Sequence, residues 1–298
     1  MKKQYFYAAI SIFCWSTAAT VTKLLLNDGI SNIQLLWVSS LCAACFLFFI
    51  NLFSGKLKLL SAYKLKDFLF SALIGLPGTF LYYIFYYFGT SKMPASEAFI
   101  INYLWPIMSL VFAAIILKEK LTLRSIIAIC ISFLGIVFIM IGNIGESESN
   151  FLIGAISCIL AAVSYGLFTA LNKKYKYDKT ISMMLNYFVT FIITTIINFV
   201  NKALFIPNMF EWFGCLWNGI FIMAIASTMW LLALQNGKTG KISNLAYITP
   251  FLSIIWVSIF LKENISIYSI FGLLFIILGI AIQLRWIRMI MHHGKQNN

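Results

Sequence analysis

Ten long apolar stretches, separated by short polar breaks, constrain this sequence more than any other feature. They cover residues 5–26, 33–53, 68–88, 95–117, 125–141, 151–171, 181–199, 213–234, 242–261 and 267–284. Most have the ~20 residues that a helix needs to cross the ~30 Å hydrocarbon core, and the fifth and tenth are slightly short. Their apolar residues do not alternate, which favours helices over barrel strands. The sequence therefore predicts an all-α polytopic membrane protein with ten transmembrane helices.

The composition agrees with a membrane location. Of the 298 residues, 61% are hydrophobic and 10% are charged, whereas a soluble domain has about 25% charged residues. Soluble enzymes, secreted domains and disordered tails are excluded, because so few charges cannot cover a water-exposed surface. The apolar run that follows Lys3 continues to Leu26 without a cleavage pattern, so it is predicted to be the first helix and not a signal peptide.

The lysines and arginines indicate the orientation. If the N-terminus is cytoplasmic, 18 of the 22 basic residues fall in segments on the cytoplasmic side. Such an excess of basic residues is typical of cytoplasmic loops. The sequence therefore predicts a protein of the cytoplasmic membrane with both termini inside. The same distribution explains the net charge of +13 without a nucleic-acid partner.

An internal repeat relates the two halves of the chain at an offset of 144 residues. Between residues 103–136 and 247–280, 12 of 34 positions are identical. The matched positions include two prolines, two glycines and a Lys-Glu dipeptide, which shared hydrophobicity does not explain. The chain is therefore predicted to consist of two five-helix repeats, residues 1–144 and 145–298, the second ending in a short cytoplasmic tail.

Because each repeat has an odd number of helices, the second repeat enters the membrane from the opposite side. The charge distribution agrees, since the Lys118-Glu119 loop is predicted inside and its equivalent Lys262-Glu263 outside. Inverted repeats are the architecture of many secondary transporters, which place the binding site at the repeat interface near the midplane. The sequence thus predicts a carrier that works by alternating access.

Several short motifs support a family resemblance. They are Trp15-Ser16-Thr17, the run Glu97 to Pro106, Asn172-Lys173-Lys174-Tyr175 and Tyr247-Ile248-Thr249-Pro250. Together they resemble the ten-helix, EamA-type branch of the drug/metabolite transporter superfamily. The string Asn-Tyr-Leu-Trp-Pro at 102–106 is similar to the aromatic amino-acid exporters of that branch. Tyr165 stands where the family commonly has a tryptophan. The resemblance implies export of small organic metabolites, amino acids first among them.

Two prolines inside the apolar stretches mark the predicted site. Pro106 and Pro250 each remove a backbone donor and free the carbonyl four residues earlier, at Asn102 and Ala246. Open backbone at membrane depth requires protein or a water-filled cavity to satisfy it, although an ordinary packing kink is the alternative. The predicted substrate-binding residues are Trp15, Tyr82, Tyr86, Asn102, Tyr103, Trp105, Tyr165, Asn244 and Tyr247.

Tyrosines in the third stretch form two stripes at helical spacing. Tyr82 and Tyr86 make one stripe, and Tyr83 and Tyr87 make the other. We expect one stripe to face the cavity and the other to pack, and we select Tyr82 and Tyr86. An aromatic box at the repeat interface would bind planar or cationic amphiphilic molecules by stacking and cation–π contact.

Glu97 is the only carboxylate predicted inside a span, and it lies near the outer end of the fourth span. An ionisable residue at membrane depth is a candidate for function, so Glu97 is the predicted coupling group if transport is proton-driven. The alternative is a helix-start residue, since Pro94 precedes it and a glutamate in the first turn favours the helix dipole.

No motif for catalysis, nucleotide binding or metal binding is found in the sequence. The Cys42 and Cys45 pair is interpreted as small apolar helix residues, because no second ligand pair accompanies it. We expect no cofactor, no metal and no enzymatic activity. The partners expected are a small-molecule substrate and the lipid bilayer, and the oligomeric state stays open. Efflux of cationic amphiphiles, or a membrane enzyme without transport, remain as alternatives.

Overall fold

The computed structural model of the chain describes residues 3–118, 123–142, 148–175, 177–236 and 244–293. These described residues form ten helical segments and contain no strand. The segments are α1 (Lys3–Asn27), α2 (Asn32–Phe53), α3 (Leu65–Lys92), α4 (Ala95–Leu117), α5 (Leu123–Ile141), α6 (Glu148–Lys174), α7 (Lys179–Val200), α8 (Met209–Leu216, Trp217–Ala226 and Ser227–Asn236), α9 (Asn244–Tyr247 and Ile248–Leu261) and α10 (Ile267–His293). A 3-10 helix, Lys56–Ala62, connects α2 to α3.

Seven of these segments are long and apolar enough to cross a membrane: α1 to α4 and α6 to α8. Three shorter apolar helices, Ile126–Ile141, Ile248–Leu261 and Ile267–Ile282, lie within α5, α9 and α10. The sequence predicted slightly short spans at the fifth and tenth positions. The ninth is also short, because a 3-10 turn precedes its regular helix. The chain is therefore an all-helical, multi-pass membrane protein, and the full count of ten transmembrane helices stays a prediction.

Large apolar side chains cover the outside of the helix assembly. Phe13 on α1, Phe49 on α2, Phe199 on α7 and Phe271 on α10 are all exposed. In water such a surface would be a site of association, whereas a lipid environment solvates it at no cost. The lateral surface is thus suited to hydrocarbon.

Small residues bring the helices together inside. α5 packs along α10, and at their crossing the backbones of Gly135 and Gly272 are in contact. A Cβ atom built at Gly135 would lie 2.5 Å from the carbonyl oxygen of Gly272. Without a hydrophobic driving force between helices in lipid, such close packing of small residues is what holds them together. Any side chain at either glycine would separate α5 from α10.

Four long segments are interrupted near their middle. α1 has a break after Ser16, α3 contains a π-helical turn at Pro77–Leu81, and α8 contains a longer one at Trp217–Ala226. α4 is broken at residues 103–104. Proline explains the turn in α3, because Pro77 lacks the N–H that a regular helix needs. π-Helical turns occur frequently at functional sites, so these interruptions direct attention to the interior between the four segments.

Two tryptophans hold the break in α1. The indole N–H of Trp217 donates to the hydroxyl of Thr17 at 3.0 Å, and that of Trp256 donates to Ser16, also at 3.0 Å. Both tryptophans belong to the second half of the chain, on α8 and α9. The interruption in α1 is therefore a defined feature, and it orients Trp15 toward the interior.

Candidate functional site

A cavity of about 40 Å³ lies where α1, α3, α4, α6, α8 and α9 meet. It is lined by Trp15, Ala18, Thr22, Tyr82, Tyr83, Tyr86, Tyr87, Phe99, Asn102, Tyr103, Trp105, Tyr165, Asn218, Ile222 and Thr249. Seven of the predicted substrate-binding residues are in this lining: Trp15, Tyr82, Tyr86, Asn102, Tyr103, Trp105 and Tyr165. The structure thus brings together residues from four segments, α1, α3, α4 and α6, that the sequence analysis had selected separately.

The break in α4 presents three closely spaced side chains to the cavity. The first helix of α4 ends at Asn102, and the second begins at Trp105 with Pro106 in its first turn. Between them the amide of Tyr103 donates to the carbonyls of Phe99 and Ile100. Because Pro106 cannot donate to Asn102, the chain turns here and the side chains of Asn102, Tyr103 and Trp105 all reach the cavity.

The two proline sites are connected across the halves of the chain. Pro250 is buried near the start of the helix Ile248–Leu261, and it follows the 3-10 turn Asn244–Tyr247. The carbonyl of Ala246, four residues before Pro250, accepts a hydrogen bond from the hydroxyl of Tyr103. A backbone acceptor that one proline frees is therefore satisfied by a side chain next to the other proline.

All four tyrosines of α3 line the cavity. This differs from the expectation that one stripe faces the cavity and the other packs. Tyr82 and Tyr83 are separated by about 100° around the helix, so the cavity covers both stripes and curves around α3. The hydroxyls of Tyr82 and Tyr87 accept hydrogen bonds from the side-chain amides of Asn102 and Asn218.

The aromatic rings form an edge-to-face cluster. Tyr165 of α6 lies 4.8 Å from Tyr82 and 5.2 Å from Trp105 between ring centroids, the latter pair at 84°. Trp15, another ring of the lining, contacts Trp230 with a centroid distance of 5.5 Å. Tilted and perpendicular arrangements are those that aromatic pairs prefer. The rings thus pack against one another along the cavity lining, where a planar ligand could stack on their faces.

Four polar atoms of the lining have no hydrogen-bond partner among the described residues. They are the amide oxygen of Asn102 and the hydroxyl oxygens of Thr22, Tyr86 and Thr249. All four residues are buried. A buried polar atom without a partner costs about 1–3 kcal/mol, and buried groups of this kind normally bond protein or ordered water. Their convergence on one cavity indicates a site for a ligand or for water with hydrogen-bonding groups.

No charged side chain is found among the described residues that line the cavity. Nor do the described residues contain a group of three His, Cys, Asp or Glu side chains that would hold a metal ion. A bound molecule would therefore meet aromatic faces, one or two amides and hydroxyl groups. Such a lining suits a molecule without net charge, or a cation over aromatic rings.

Glu97 lies outside this lining. It is 4% exposed, and its carboxylate accepts a hydrogen bond of 2.9 Å from the hydroxyl of Ser269 on α10. It also stands in the first turn of α4, after Pro94 at the N-cap position. Both interpretations from the sequence therefore have a structural counterpart: a buried carboxylate and a helix-start residue.

Lys23, near the end of α1, makes its polar contacts within the protein. Its ammonium group donates to the carbonyls of Thr90 and Met93 at 2.8 and 2.9 Å, at the end of α3. Since the last carbonyls of a helix lack partners and carry partial negative charge, they attract the lysine more specifically than the interface does.

The side chains of Asn244 and Tyr247 lie outside the described part of the structure. Sequence reasoning missed Thr22, Asn218 and Thr249. Two of them carried a signal: Asn218 is an amide in an apolar stretch, as Asn102 is, and Thr249 is the repeat equivalent of Trp105. Thr22 carried none, because a threonine in a membrane helix commonly bonds its own backbone.

The chain is similar to known proteins in its family pattern, in its sequence and in its fold. The model of the EamA-like transporter family matches residues 2–141 and again residues 152–285. An uncharacterised transporter of Clostridium kluyveri is 26% identical, covering 94% of this chain and 92% of its own length. An uncharacterised transporter of Bacillus subtilis, YxxF, is also 26% identical and covers 91% of this chain and 85% of its own.

One relative has a more specific name. The aromatic amino acid exporter YddG of Ancylobacter novellus is 23% identical over 186 residues, which cover 60% of this chain and 63% of the relative. A solved crystal structure aligns with a TM-score of 0.68 over 96% of this chain and 98% of that one, at 18% identity. This structural similarity concerns the fold alone. The two family matches together span most of the sequence, and the chain belongs to the EamA-like transporter family.

Proposed function

We propose that the protein is a secondary transporter that moves a small organic metabolite across the cytoplasmic membrane by alternating access. The observation that carries this proposal is the cavity between the two halves of the chain, where aromatic faces and unpartnered polar atoms converge beside interrupted apolar helices. Membrane carriers place their sites near the midplane, beside interrupted helices. The cytoplasmic location of both termini and the outward direction of transport are further parts of the proposal. The transport function itself does not depend on them.

The alternating mechanism would rest on two inverted five-helix repeats, residues 1–144 and 145–298. In support, the family model matches the chain twice. The π-helical turn of α3, shifted by 144 residues, falls within the π-helical turn of α8. At the same offset, Lys118 and Lys262 both have a positive φ and follow the ends of α4 and α9. α2 packs on α7 and α5 packs on α10, as expected for equivalent helices around a pseudo-twofold axis.

The leading substrate class is amino acids, with aromatic ones first. Tyr165 and Trp105 offer ring faces and edges, and Asn102 offers an amide oxygen. The relative named as an aromatic amino acid exporter favours the same class and the outward direction. The amino and carboxylate groups would meet the backbone dipoles at the breaks of α4 and α9, since interrupted helices bind charged groups in this way.

In this proposal the described cavity belongs to a closed form of the carrier. A volume of about 40 Å³ leaves room for a few water molecules. An amino acid would need several times this volume. Binding would therefore require α3, α4 or α8 to move away from the centre, and the interruptions in these segments provide places to bend.

A second candidate is the efflux of cationic amphiphilic molecules. The uncharged, aromatic lining is the observation that favours it, because a cation is attracted to the faces of Trp and Tyr rings. A membrane enzyme without transport is the weakest candidate, since it gives no reason for paired interruptions in both halves.

A counterflow assay in proteoliposomes tests these alternatives. Vesicles loaded with unlabelled tryptophan, phenylalanine, leucine or a quaternary ammonium dye are diluted into a trace of the same labelled compound. We expect transient accumulation with tryptophan or phenylalanine, and much less with leucine. Accumulation of the dye alone would select the efflux function. If no compound of either class is exchanged, amino-acid and amphiphile transport are both wrong.

A further inference from the structure

The connection between α3 and α4 is bound by a residue from the other half of the chain. Glu263 lies between α9 and α10, and its carboxylate accepts hydrogen bonds from the amides of Ala95 and Ser96 at 2.8 and 3.1 Å. It also accepts from the hydroxyl of Ser96 at 3.0 Å. The carboxylate thus caps the N-terminus of α4, where unpaired amides and the helix dipole favour a negative charge.

The same connection is bound from the opposite side by Lys23 of α1. Its ammonium group takes the carbonyls of Thr90 and Met93 at the end of α3, so a positive charge meets the negative end of one helix. Lys23 also lies within electrostatic reach of Glu263. Residues 90–96 are therefore held between two opposite charges that come from different parts of the chain.

The contacts of Lys23 and Glu263 with residues 90–96 lie close to lining residues of the cavity. Thr22, which lines the cavity, precedes Lys23 in the chain, and Phe99, another lining residue, follows Ser96 by three positions. The hydroxyl of Thr90 bonds the carbonyl of Tyr86, which also lines the cavity. The groups that Lys23 and Glu263 hold are thus within one helical turn of the lining.

We propose that Glu263 and Lys23 close the outer end of the transport path, and that the path opens outward only when Glu263 leaves the N-terminus of α4. The inference rests on the proposed transport function and on the topology that places this end outside. Glu263 is the movable partner, because it is the one that joins the two halves of the chain and their relative position changes during alternating access.

The chemistry suits a reversible closure. Glu263 is partly exposed and stands between two apolar helices, outside both of them. When the carboxylate withdraws, water bonds both to the carboxylate and to the amides that it leaves. The net free-energy cost per hydrogen bond is therefore small. A closure made of partly exposed hydrogen bonds can open at a small cost in free energy, whereas one made of fully buried hydrogen bonds could not.

Accessibility labelling tests the proposal without requiring a substrate. The reporter is the variant Thr22→Cys, treated in intact cells with a membrane-impermeant thiol reagent, and the chain with its native cysteines alone gives the background. We expect Glu263→Ala to raise the labelling rate roughly tenfold, because three modest hydrogen bonds are lost. The matched control is Glu211→Ala, since Glu211 also caps a helix start but bonds only its own segment, at Asn208. An equal rate in Glu263→Ala and in its parent would overturn the proposal.

A double-cysteine variant tests the closure by holding the outer end shut. Ser96→Cys combined with Glu263→Cys should form a disulfide on oxidation that holds the outer end closed. We expect oxidised protein to lose counterflow and reduced protein to regain it, while each single variant is insensitive to oxidation. Undiminished counterflow in fully cross-linked protein would overturn the closure. Lack of counterflow in every variant, together with raised labelling in Glu263→Ala, would instead contradict the transport function and leave the closure supported.

Discussion

The hydroxyl of Tyr103 donates a hydrogen bond to the backbone carbonyl of Ala246. The two residues are 143 positions apart, and each lies four or fewer residues before a proline in its own half. Through this bond the break in α4 and the start of α9 become one structural unit beside the cavity. Any movement of one half against the other must either carry both segments or exchange this bond for another.

Removing that hydroxyl should therefore affect transport more than folding. In Tyr103→Phe the ring stays and the carbonyl of Ala246 loses its partner, which costs about 1–3 kcal/mol. We expect a counterflow rate lowered roughly tenfold or more, with normal yield in the membrane. The control is Tyr187→Phe, which deletes a buried hydroxyl bonded to the Met223 carbonyl at 3.0 Å but outside the cavity lining. Equal losses in the two variants would argue against a special role for Tyr103.

Trp105 should contribute a binding surface. Its ring meets Tyr165 edge to face, and it is only partly buried. We expect Trp105→Ala to weaken apparent substrate affinity by roughly tenfold, the equivalent of about 1–1.5 kcal/mol of aromatic contact, while membrane expression stays intact. Trp212→Ala, at an exposed position on α8, is the matched control. Transport at the normal rate and affinity in Trp105→Ala would count against the aromatic site.

Glu97 should be needed for proton coupling if the carrier is proton-driven. In Glu97→Gln the side chain can still bond Ser269 but can no longer release a proton. We expect loss of transport driven by a pH gradient and retention of counterflow, which needs no driving force. Glu211→Gln serves as the control. Should the Gln variant keep its full dependence on the gradient, Glu97 is a helix-start residue and the carrier works as a facilitator.

An ion pair at the other end of the helices should make a small, pH-dependent contribution to stability. Lys56 and Asp178 are 3.0 Å apart and partly exposed. Burial opposes ionisation of Asp178, but hydrogen bonds from Thr180, Lys56 and the Ile181 amide outweigh it and hold the pKa of this carboxyl below its ordinary value. A lowered pKa in the folded state means stabilisation that is present above the unfolded-state pKa of about 3.9 and is lost as the pH falls through the folded-state pKa.

The variant that isolates this charge is Asp178→Asn, because asparagine also caps helices well. We expect it to lower the free energy of unfolding in detergent by about 0.2–1 kcal/mol at neutral pH, the usual range for exposed pairs. The difference from the parent should vanish in strong acid. A difference that is the same at every pH would show that the ion pair contributes nothing.

The proposed topology predicts the sides of two loops. Reporter fusions should place the loop at Glu146–Glu148 outside and the loop at Lys173–Lys179 inside, because the basic residues concentrate in the latter group of loops. Reporters on the same side for both loops would contradict the five-plus-five arrangement. Reversal of both would exchange the inner and outer ends, and the closure at Glu263 would then face the cytoplasm.

The helical class could be predicted because it depends on properties that accumulate along the chain, whereas the family was indicated by a resemblance in short motifs such as the run Glu97 to Pro106. Span length, the scarcity of charge and the repeat of Pro106 as Pro250 are visible without coordinates. The residues around Pro106 were selected for the same reason: a proline changes backbone hydrogen bonding wherever it stands. Seven of the nine predicted binding residues line one cavity, and the side chains of the other two lie outside the described residues.

The tyrosines of α3 show a property of the site that the sequence pattern does not determine. Spacing separates Tyr82 and Tyr86 from Tyr83 and Tyr87, but only the arrangement of α1, α6 and α8 around α3 decides how wide an arc the cavity covers. Glu263 is a stronger case. From its position it is a loop residue, and nothing local indicates that it caps α4, 167 or more residues away.

The sequence by itself determined that this chain spans a membrane, consists of helices and carries an internal repeat, because hydrophobicity and proline act locally. The tertiary structure alone decided which polar groups meet: Tyr103 with Ala246, Glu97 with Ser269, and Glu263 with Ser96. In a membrane interior, partners for groups such as those of Tyr103 and Glu97 must come from other helices. Their pairing depends on helix packing across the whole chain, and no pattern within one segment contains that information.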